Sequence, residues 1–326
     1  MDIKQLKYFV TIVDCGGFSQ ASRQLNIAQP ALSQQISRLE YEVGAPLFIR
    51  SSRGVSPTSK GMTLYRHAKF ILRQIDQALM STRETEAEIS GRVTIGLPPT
   101  TICQVGTQIV ERVQRRYPGI LLHVVEALSG SLQSQAAAGE LDLIVLFTAG
   151  AVPKWQSEEL LREELFLVFP VEGRMFPDEV KSVSFRDLAD VPLILPSPQH
   201  GLRRRIDLEF ERLNLNVVPV AEIDSLPVLM KCLLRGHGAT IKPHAAVNVH
   251  GSALASQWRC LPFHDVSLTR INYLYSRPAE ELSPASIAVR RELIALIPEE
   301  VAEGRWTGVT YIGPQEERSP AAARPR

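Results

Sequence analysis

From Met1 to about Arg50, apolar residues recur at helical spacing. Ile3, Leu6, Phe9, Val10 and Val13 form one stripe, which Gly16-Gly17 ends. A short second helix is predicted to follow, with Ser19 as its N-cap and its end near Leu25. After a break at Asn26-Ile27, Pro30 suits the first turn of a third, longer helix, where a missing N–H costs nothing. On that helix Leu32, Ile36, Leu39 and Val43 stack within a narrow arc and should pack inward. "PLFIRSSRGVSPTSKG" then reads as two short extended pieces around a Ser-Ser-Arg-Gly turn. Thr58 can cap a long helix running to about Ser90.

Beyond Gly91 the pattern changes. "GRVTIGL", "ILLHVVEA" and "LDLIVLF" are apolar or β-branched runs separated by helical stretches, and "LFLVFP", "PLILP", "VVPVAEI" and "RINYLYS" follow. Such alternation predicts βαβ units and a mostly parallel sheet. From Gly304 the chain is rich in Pro, Ala and Arg after a short "VTYIG", and disorder is expected beyond Pro314.

The third helix carries the first chemical signal. Opposite its apolar stripe lie Pro30, Ser33, Gln34, Ser37, Arg38 and Tyr41, with Gln29 just ahead; nothing acidic shares that arc. Amides, hydroxyls and a guanidinium are the groups that read base edges and phosphates in a major groove. A short helix, a tight connection and a second, reading helix make the helix-turn-helix plan. A helical hairpin with a merely solvated polar face explains this pattern about equally well. The next segment favours DNA, because Arg50 and Arg53 flank a turn whose tip could enter the narrow minor groove. Residues 1–60 hold seven basic residues against four acidic ones, while the 326-residue chain is near neutral at +1.

The pieces "LKYFVTIVDCGGFSQAS", "LNIAQPALSQQISRLE", "VGAPLFIR" and "RGVSPTSKG" occur in the order and spacing of the LysR-type transcriptional regulators, and residues 1–60 resemble that family's N-terminal domain. "IAQPALSQQ", "RGVSPT" and "FLVFP" bring the whole chain near the family's nitrogen assimilation control branch. Two departures stand out: Ala21-Ser22 replaces the usual Ala-Ala, and Gln34 stands where many members have Arg. The resemblance implies that Gln29, Pro30, Ser33 and Gln34 contact bases, that Ser37 and Arg38 contact backbone, and that Arg53 serves in the wing.

The resemblance also implies a mixed architecture in three parts. Residues 1–57 would be a mostly helical winged helix-turn-helix, and residues 58–90 a linker and dimerisation helix. Residues 91–303 would be an α/β effector domain of two Rossmann-like subdomains similar to periplasmic binding proteins. Subdomain I would cover about 91–161 and 268–303, subdomain II about 162–267, and 304–326 would be a largely disordered tail.

In the long helix Tyr65, Ala68, Leu72, Ile75 and Leu79 recur at heptad spacing. A rod of roughly 50 Å cannot bury that stripe alone. Its partner is either the chain's own downstream domain or, preferred here, a second copy, since an interrupted palindromic operator demands two-fold symmetry. The family implies a homodimer built on antiparallel linker helices, often assembled into a dimer of dimers, with RNA polymerase as a further partner.

Open α/β sheets bind ligands at the carboxyl ends of their strands. There "PPTT", "SGS", "TAG" and "SPQHG" offer hydroxyls or free N–H groups suited to a small anion. Singly each Ser or Thr reads best as an N-cap; together they favour a binding site. By resemblance Thr100, Thr101, Ser129, Thr148 and His200 surround the effector cleft. Lys242, in "GHGATIKPHAAV", either faces that cleft, where it would pair an acidic effector, or points to solvent as most lysines do. For Arg203, Arg204 and Arg205 a solvated face is the better reading.

Two other classes were weighed. An α/β enzyme lacks support: there is no GxSxG, HExxH or P-loop, no dinucleotide fingerprint, and no cofactor motif. A free solute-binding protein explains residues 91–300 but not the N-terminal helices, and "MDIKQLKYFV" lacks the order of a secretory signal. Four scattered cysteines suggest neither a zinc site nor disulfides. No apolar run is long enough to span a membrane, and a cytoplasmic protein is expected.

Overall fold

The computed structural model describes residues 1–51, 54–81, 89–173 and 175–314. Helix α1 (Ile3–Cys15) opens on a capping box in which Asp2 accepts from the Gln5 N–H while the Gln5 side chain accepts from the Asp2 N–H. It closes on Gly16, in the left-handed region at φ +67°. Helix α2 (Phe18–Leu25) is preceded by Gly17, so Ser19 is not its cap but lies in its first turn, where its hydroxyl donates to Gln29 Oε1 at 3.1 Å. Asn26, at φ 54°, makes the tight corner into α3 (Gln29–Val43). Strands β1 (Phe48–Ser51) and β2 (Gly54–Pro57) form an antiparallel hairpin.

Leu6, Phe9, Ile12, Phe18, Ala21, Leu32, Ile36, Leu39, Leu47 and Phe48 make the core of this domain. The Phe48 ring sits 5.2 Å from that of Phe9 and 5.6 Å from that of Phe18, fastening the wing to the helices. Val43, expected in the inward stripe, is exposed, because the chain turns away at Gly44 and the stripe ends at Leu39.

Thr58 caps α4 (Ser59–Ser81), its Oγ1 accepting from the Gly61 N–H at 2.9 Å. Ala68 is fully buried, and Tyr65 and Leu72 pack on the N-terminal core. The Tyr65 hydroxyl donates to Asp14 of α1 and accepts from Lys69 Nζ. From Tyr65 to Leu72 the stripe expected to meet a second copy therefore meets the chain's own α1, whose Tyr8 and Val13 need cover. Ile75 is half-buried, Ile71 is 36% exposed, and the Leu79 side chain lies outside the described residues.

The C-terminal half begins with β3 (Gly91–Leu97), α5 (Pro99–Arg116), β4 (Ile120–Glu126), α6 (Ser129–Ala137), β5 (Leu143–Leu146), β6 (Gln156–Glu164) and β7 (Phe166–Pro170). Next come β8 (Ile194–Leu195), α7 (Gly201–Arg212), β9 (Ala221–Glu222), α8 (Leu226–Leu234), β10 (Thr240–Lys242) and β11 (Trp258–Leu261). It ends with β12 (Thr269–Ser276), α9 (Pro284–Ala302) and β13 (Val309–Tyr311).

The larger sheet runs β13-β6-β12-β5-β3-β4, and only the pairings of β3 with β4 and with β5 are parallel. β12 is antiparallel to both β5 and β6, and β10-β7-β11 form a second, antiparallel sheet. The mostly parallel expectation is thus corrected to mixed sheets. The chain leaves one subdomain through β6, builds the second, and comes back through β12, which antiparallel pairing accommodates. One core draws on Val93–Leu161 and Leu274–Trp306, and two others on Leu165–Leu268. Ordered packing continues past residue 303: Trp306 is buried and β13 pairs with β6.

Candidate DNA-reading face and ligand cleft

On α3 the residues expected to meet DNA share one outward side. Gln29, Pro30, Gln34, Ser37 and Arg38 are exposed, Ser33 is half-buried, and Tyr41 is 88% exposed. The helix is anchored from behind. Leu32, Ile36 and Leu39 are fully buried, and Glu40 Oε1 accepts from the N–H groups of Leu47 (2.7 Å) and Phe48 (3.2 Å). One carboxylate therefore ties the reading helix to the start of the wing. Pro30 and the unpaired N–H groups of the first turn give α3 a positive N-terminal end. Arg50 lies on β1 opposite Val55, while Arg53 lies outside the described residues.

The effector half contains a cavity of about 900 Å³ between the subdomains. Ser129 and Thr148 from one side and His200, Arg204 and Arg205 from the other line it. A smaller recess shares Ser129, Phe147, His200, Asp224 and Arg270 with it and adds Thr100 and Lys242. The first turns of α5, α6 and α8 and the cap of α7 open on this recess, so several helix dipoles point one way.

Five of the six residues expected in the cleft are there: Thr100, Ser129, Thr148, His200 and Lys242. Thr101 is not; its side chain is buried behind α5 with Oγ1 unpartnered. The N-cap reading fails for Ser129, which sits inside α6 and makes no cap bond, and the cap of α7 is His200, whose Nδ1 accepts from the Leu202 N–H at 3.1 Å. Arg203 is held by Asp207 and Glu222, whereas Arg204 and Arg205 reach the cavity.

Arg270 and Asp224 were not singled out from sequence. Arg270 lies over Phe147, its Cζ 3.6 Å from the ring centroid, pairs with buried Glu163 at 2.7 Å, and donates to Thr100 Oγ1 at 2.8 Å. Its charge is neutralised locally. Asp224 accepts from the N–H and hydroxyl of Ser197, both at 2.9 Å, and the backbone bond foremost holds its carboxyl below the usual range. The one sequence hint for Asp224 is its place after β9, at the end of an apolar run.

Lys242 is different. Its side chain is largely buried, lines the recess and forms no hydrogen bond or ion pair among the described residues. Burial, and then the Arg270 charge, push its ammonium down to about 8, with Asp224 opposing. His200 is pushed down to about 4, chiefly by burial and then by Lys242 and Arg270. It is therefore neutral near pH 7, and because Nδ1 accepts, Nε2 carries the proton. Neutral donors around a cation that Asp224 offsets only in part form a receptor for an anion.

Comparisons with known proteins agree with this layout. Residues 3–62 match the family described as bacterial regulatory helix-turn-helix protein, lysR family, and residues 86–297 match the LysR substrate binding domain. The nitrogen assimilation regulatory proteins nac of Klebsiella aerogenes and of Escherichia coli are each 34% identical over 306 residues, 94% of this chain and 98% of theirs. A full-length OxyR variant from Pseudomonas aeruginosa shares the fold at a TM-score of 0.70 and 22% identity, covering 91% of this chain and 95% of that one. CbnR in complex with its target DNA does so at 0.67 and 16%, covering 91% and 99%. Among the described residues no helix is long and apolar enough to cross a membrane. The chain belongs to the LysR family of DNA-binding transcriptional regulators and is not an enzyme.

Proposed function

We propose that this regulator binds an interrupted palindromic operator as a homodimer and answers to a small anionic effector seated on Lys242. Two copies of α3 enter successive major grooves, with Gln29, Pro30, Ser33 and Gln34 at base edges and Ser37 and Arg38 at phosphates. Arg50 and Arg53 serve the wing. A dimer of dimers, contact with RNA polymerase and a cytoplasmic location complete this reading.

The observation that carries the effector assignment is the largely buried Lys242, without a salt bridge among the described residues and offset only in part by Asp224, beside a neutralised Arg270. An isolated buried ammonium is expensive, and an anion in the recess relieves that cost. Thr100, Ser129 and the His200 Nε2–H surround the same recess and supply neutral donors. The test is calorimetric titration of the full-length protein and of Lys242→Met with acetate, citrate and inorganic phosphate. Binding by the native protein that Lys242→Met weakens at least about tenfold is expected; equal affinity in both would remove Lys242 from the site. DNA binding is tested separately on immobilised duplex, where retention should fall steeply with salt through counterion release.

A further inference from the structure

Helix α4 touches more than α1. Its Phe70 projects toward the effector domain and is met there by two elements, one of which, through Arg277, also engages a third. The guanidinium of Arg277, just past β12, lies 4.3 Å from the Phe70 centroid and 5.7 Å from that of Trp155. Gly139, just past α6, presses on the same ring so closely that a Cβ there would lie 2.9 Å from Phe70 Cδ2 and 3.2 Å from Arg277 Nη2. Gly139 also has φ +74°, so both its backbone and its surroundings exclude a side chain. Trp155 closes the loop between β5 and β6.

Each of these elements has its other end in the cleft. Helix α6 starts at Ser129, Gly130 and Ser131, which line the cavity, and reaches Gly139 after about 13 Å of rigid helix. The loop starts at Phe147 and Thr148, also in the lining, and ends at Trp155. Strand β12 carries Arg270 and Tyr273 in the lining and runs about 23 Å to Arg277. Tyr275 locks the set together. It is fully buried, packs with Leu132 and Ala136 of α6, accepts from the Ala151 N–H at 3.0 Å and donates to the Thr148 carbonyl.

We propose that the seat of Phe70 is where the linker helix reads the state of the cleft, with Arg277 as the clasp. The proposal rests on the cleft being the effector site. A close-packed unit whose front lines the cavity and whose back forms the seat cannot shift at one end alone. An anion that draws the first turn of α6 or the Phe147–Trp155 loop toward Lys242 moves Gly139 against Phe70, or Trp155 against the Arg277 that covers it. The linker helix is then levered relative to the effector domain, and α1, bound to it through Tyr65, Ala68 and Leu72, moves with it.

Coupling is reciprocal, so it can be tested without a ligand. Hydrogen exchange of the full-length protein is followed in peptides from residues 62–75 and in the cleft segments 129–133, 147–149 and 197–205. Phe70→Ala, on α4 and remote from the cavity, should speed exchange in the cleft segments about tenfold while leaving α3 unchanged. Acceleration confined to residues 62–75 and 138–141 would overturn the proposal, since it is what a merely structural contact gives. Tyr275→Phe keeps the shape, drops both hydrogen bonds and touches neither Phe70 nor α4; it should speed exchange in residues 62–75. No change there likewise overturns the coupling, and this variant serves if Phe70→Ala does not fold. Failure of acetate, citrate and phosphate to bind would count against the effector reading alone, because neither exchange experiment contains a ligand.

Discussion

Replacing Lys242 by Met is expected to stabilise the ligand-free protein, in spite of removing a residue from its proposed working site. The two side chains are similar in length, so the recess stays filled, while the buried charge goes. The fall of the ammonium from its ordinary 10.5 to about 8, at about 1.4 kcal/mol per pH unit, means that folding with the proton on costs about 3 kcal/mol. The sign follows from proton binding. The folded-state value lies below the unfolded one, so the unfolded chain holds more protons between about 8 and 10.5. Stability of the native protein therefore rises with pH through that window, and the full penalty applies below about 8. Lys242→Met should exceed the native protein by about 3 kcal/mol near pH 7, and the gap should close toward about pH 10.5. The measurement is urea unfolding at several pH values, followed through Trp258, which shares a subdomain core with the strands beside Lys242. Other groups titrate in the same range, so the difference between the two proteins is the quantity read. A gap that is absent near pH 7, or that stays constant with pH, would refute the claim that a poorly compensated charge sits there. The same reasoning predicts that anion binding near pH 9 takes up a proton, seen as a dependence of the calorimetric heat on buffer ionisation enthalpy.

Further outcomes follow from the same geometry. Gln34→Ala should alter operator preference at one base pair by about 1–3 kcal/mol, read by selection from randomised duplexes, and unchanged preference would remove Gln34 from the reading face. Ile71→Asp, on the uncovered side of α4, should weaken self-association in sedimentation with little loss of unfolding stability; Leu72→Asp cannot separate the two, because Leu72 packs on its own domain. Acidification from about pH 6.5 toward 4 should destabilise the effector half, since the folded state resists protonating His200, and His200→Gln should lose that part of the decline.

The sequence made some of this legible and hid the rest for physical reasons. Local periodicity found α1, α2 and α3, because an amphipathic helix carries its own signal at 3.6 residues per turn. It misjudged Val43 and Ser19, whose places depend on where the chain bends and not on spacing. Hydroxyl-rich strand ends pointed to the cleft, and Lys242 was flagged with two outcomes open; only burial decides between them. Arg270 and Asp224 were invisible because their partners, Glu163 and Ser197, lie far along the chain. The heptad stripe from Tyr65 to Leu72 suggests a contact between copies and packs on the chain's own core, because periodicity reports only that a face is covered and says nothing of what covers it. The sheet order failed for a similar reason: a strand's apolar run looks the same whether its neighbour is parallel or antiparallel.

The bonds from Glu40 to the first residues of the wing divide α3 into two halves with separate duties. Register and tilt depend on Leu32, Ile36, Leu39 and that single carboxylate, all on the side away from solvent. The exposed side chains at positions 34, 37 and 38 carry no such duty. Target choice can then drift by surface substitution while the scaffold beneath stays put, which lets duplicated copies of such a gene acquire new binding sites without first losing their fold.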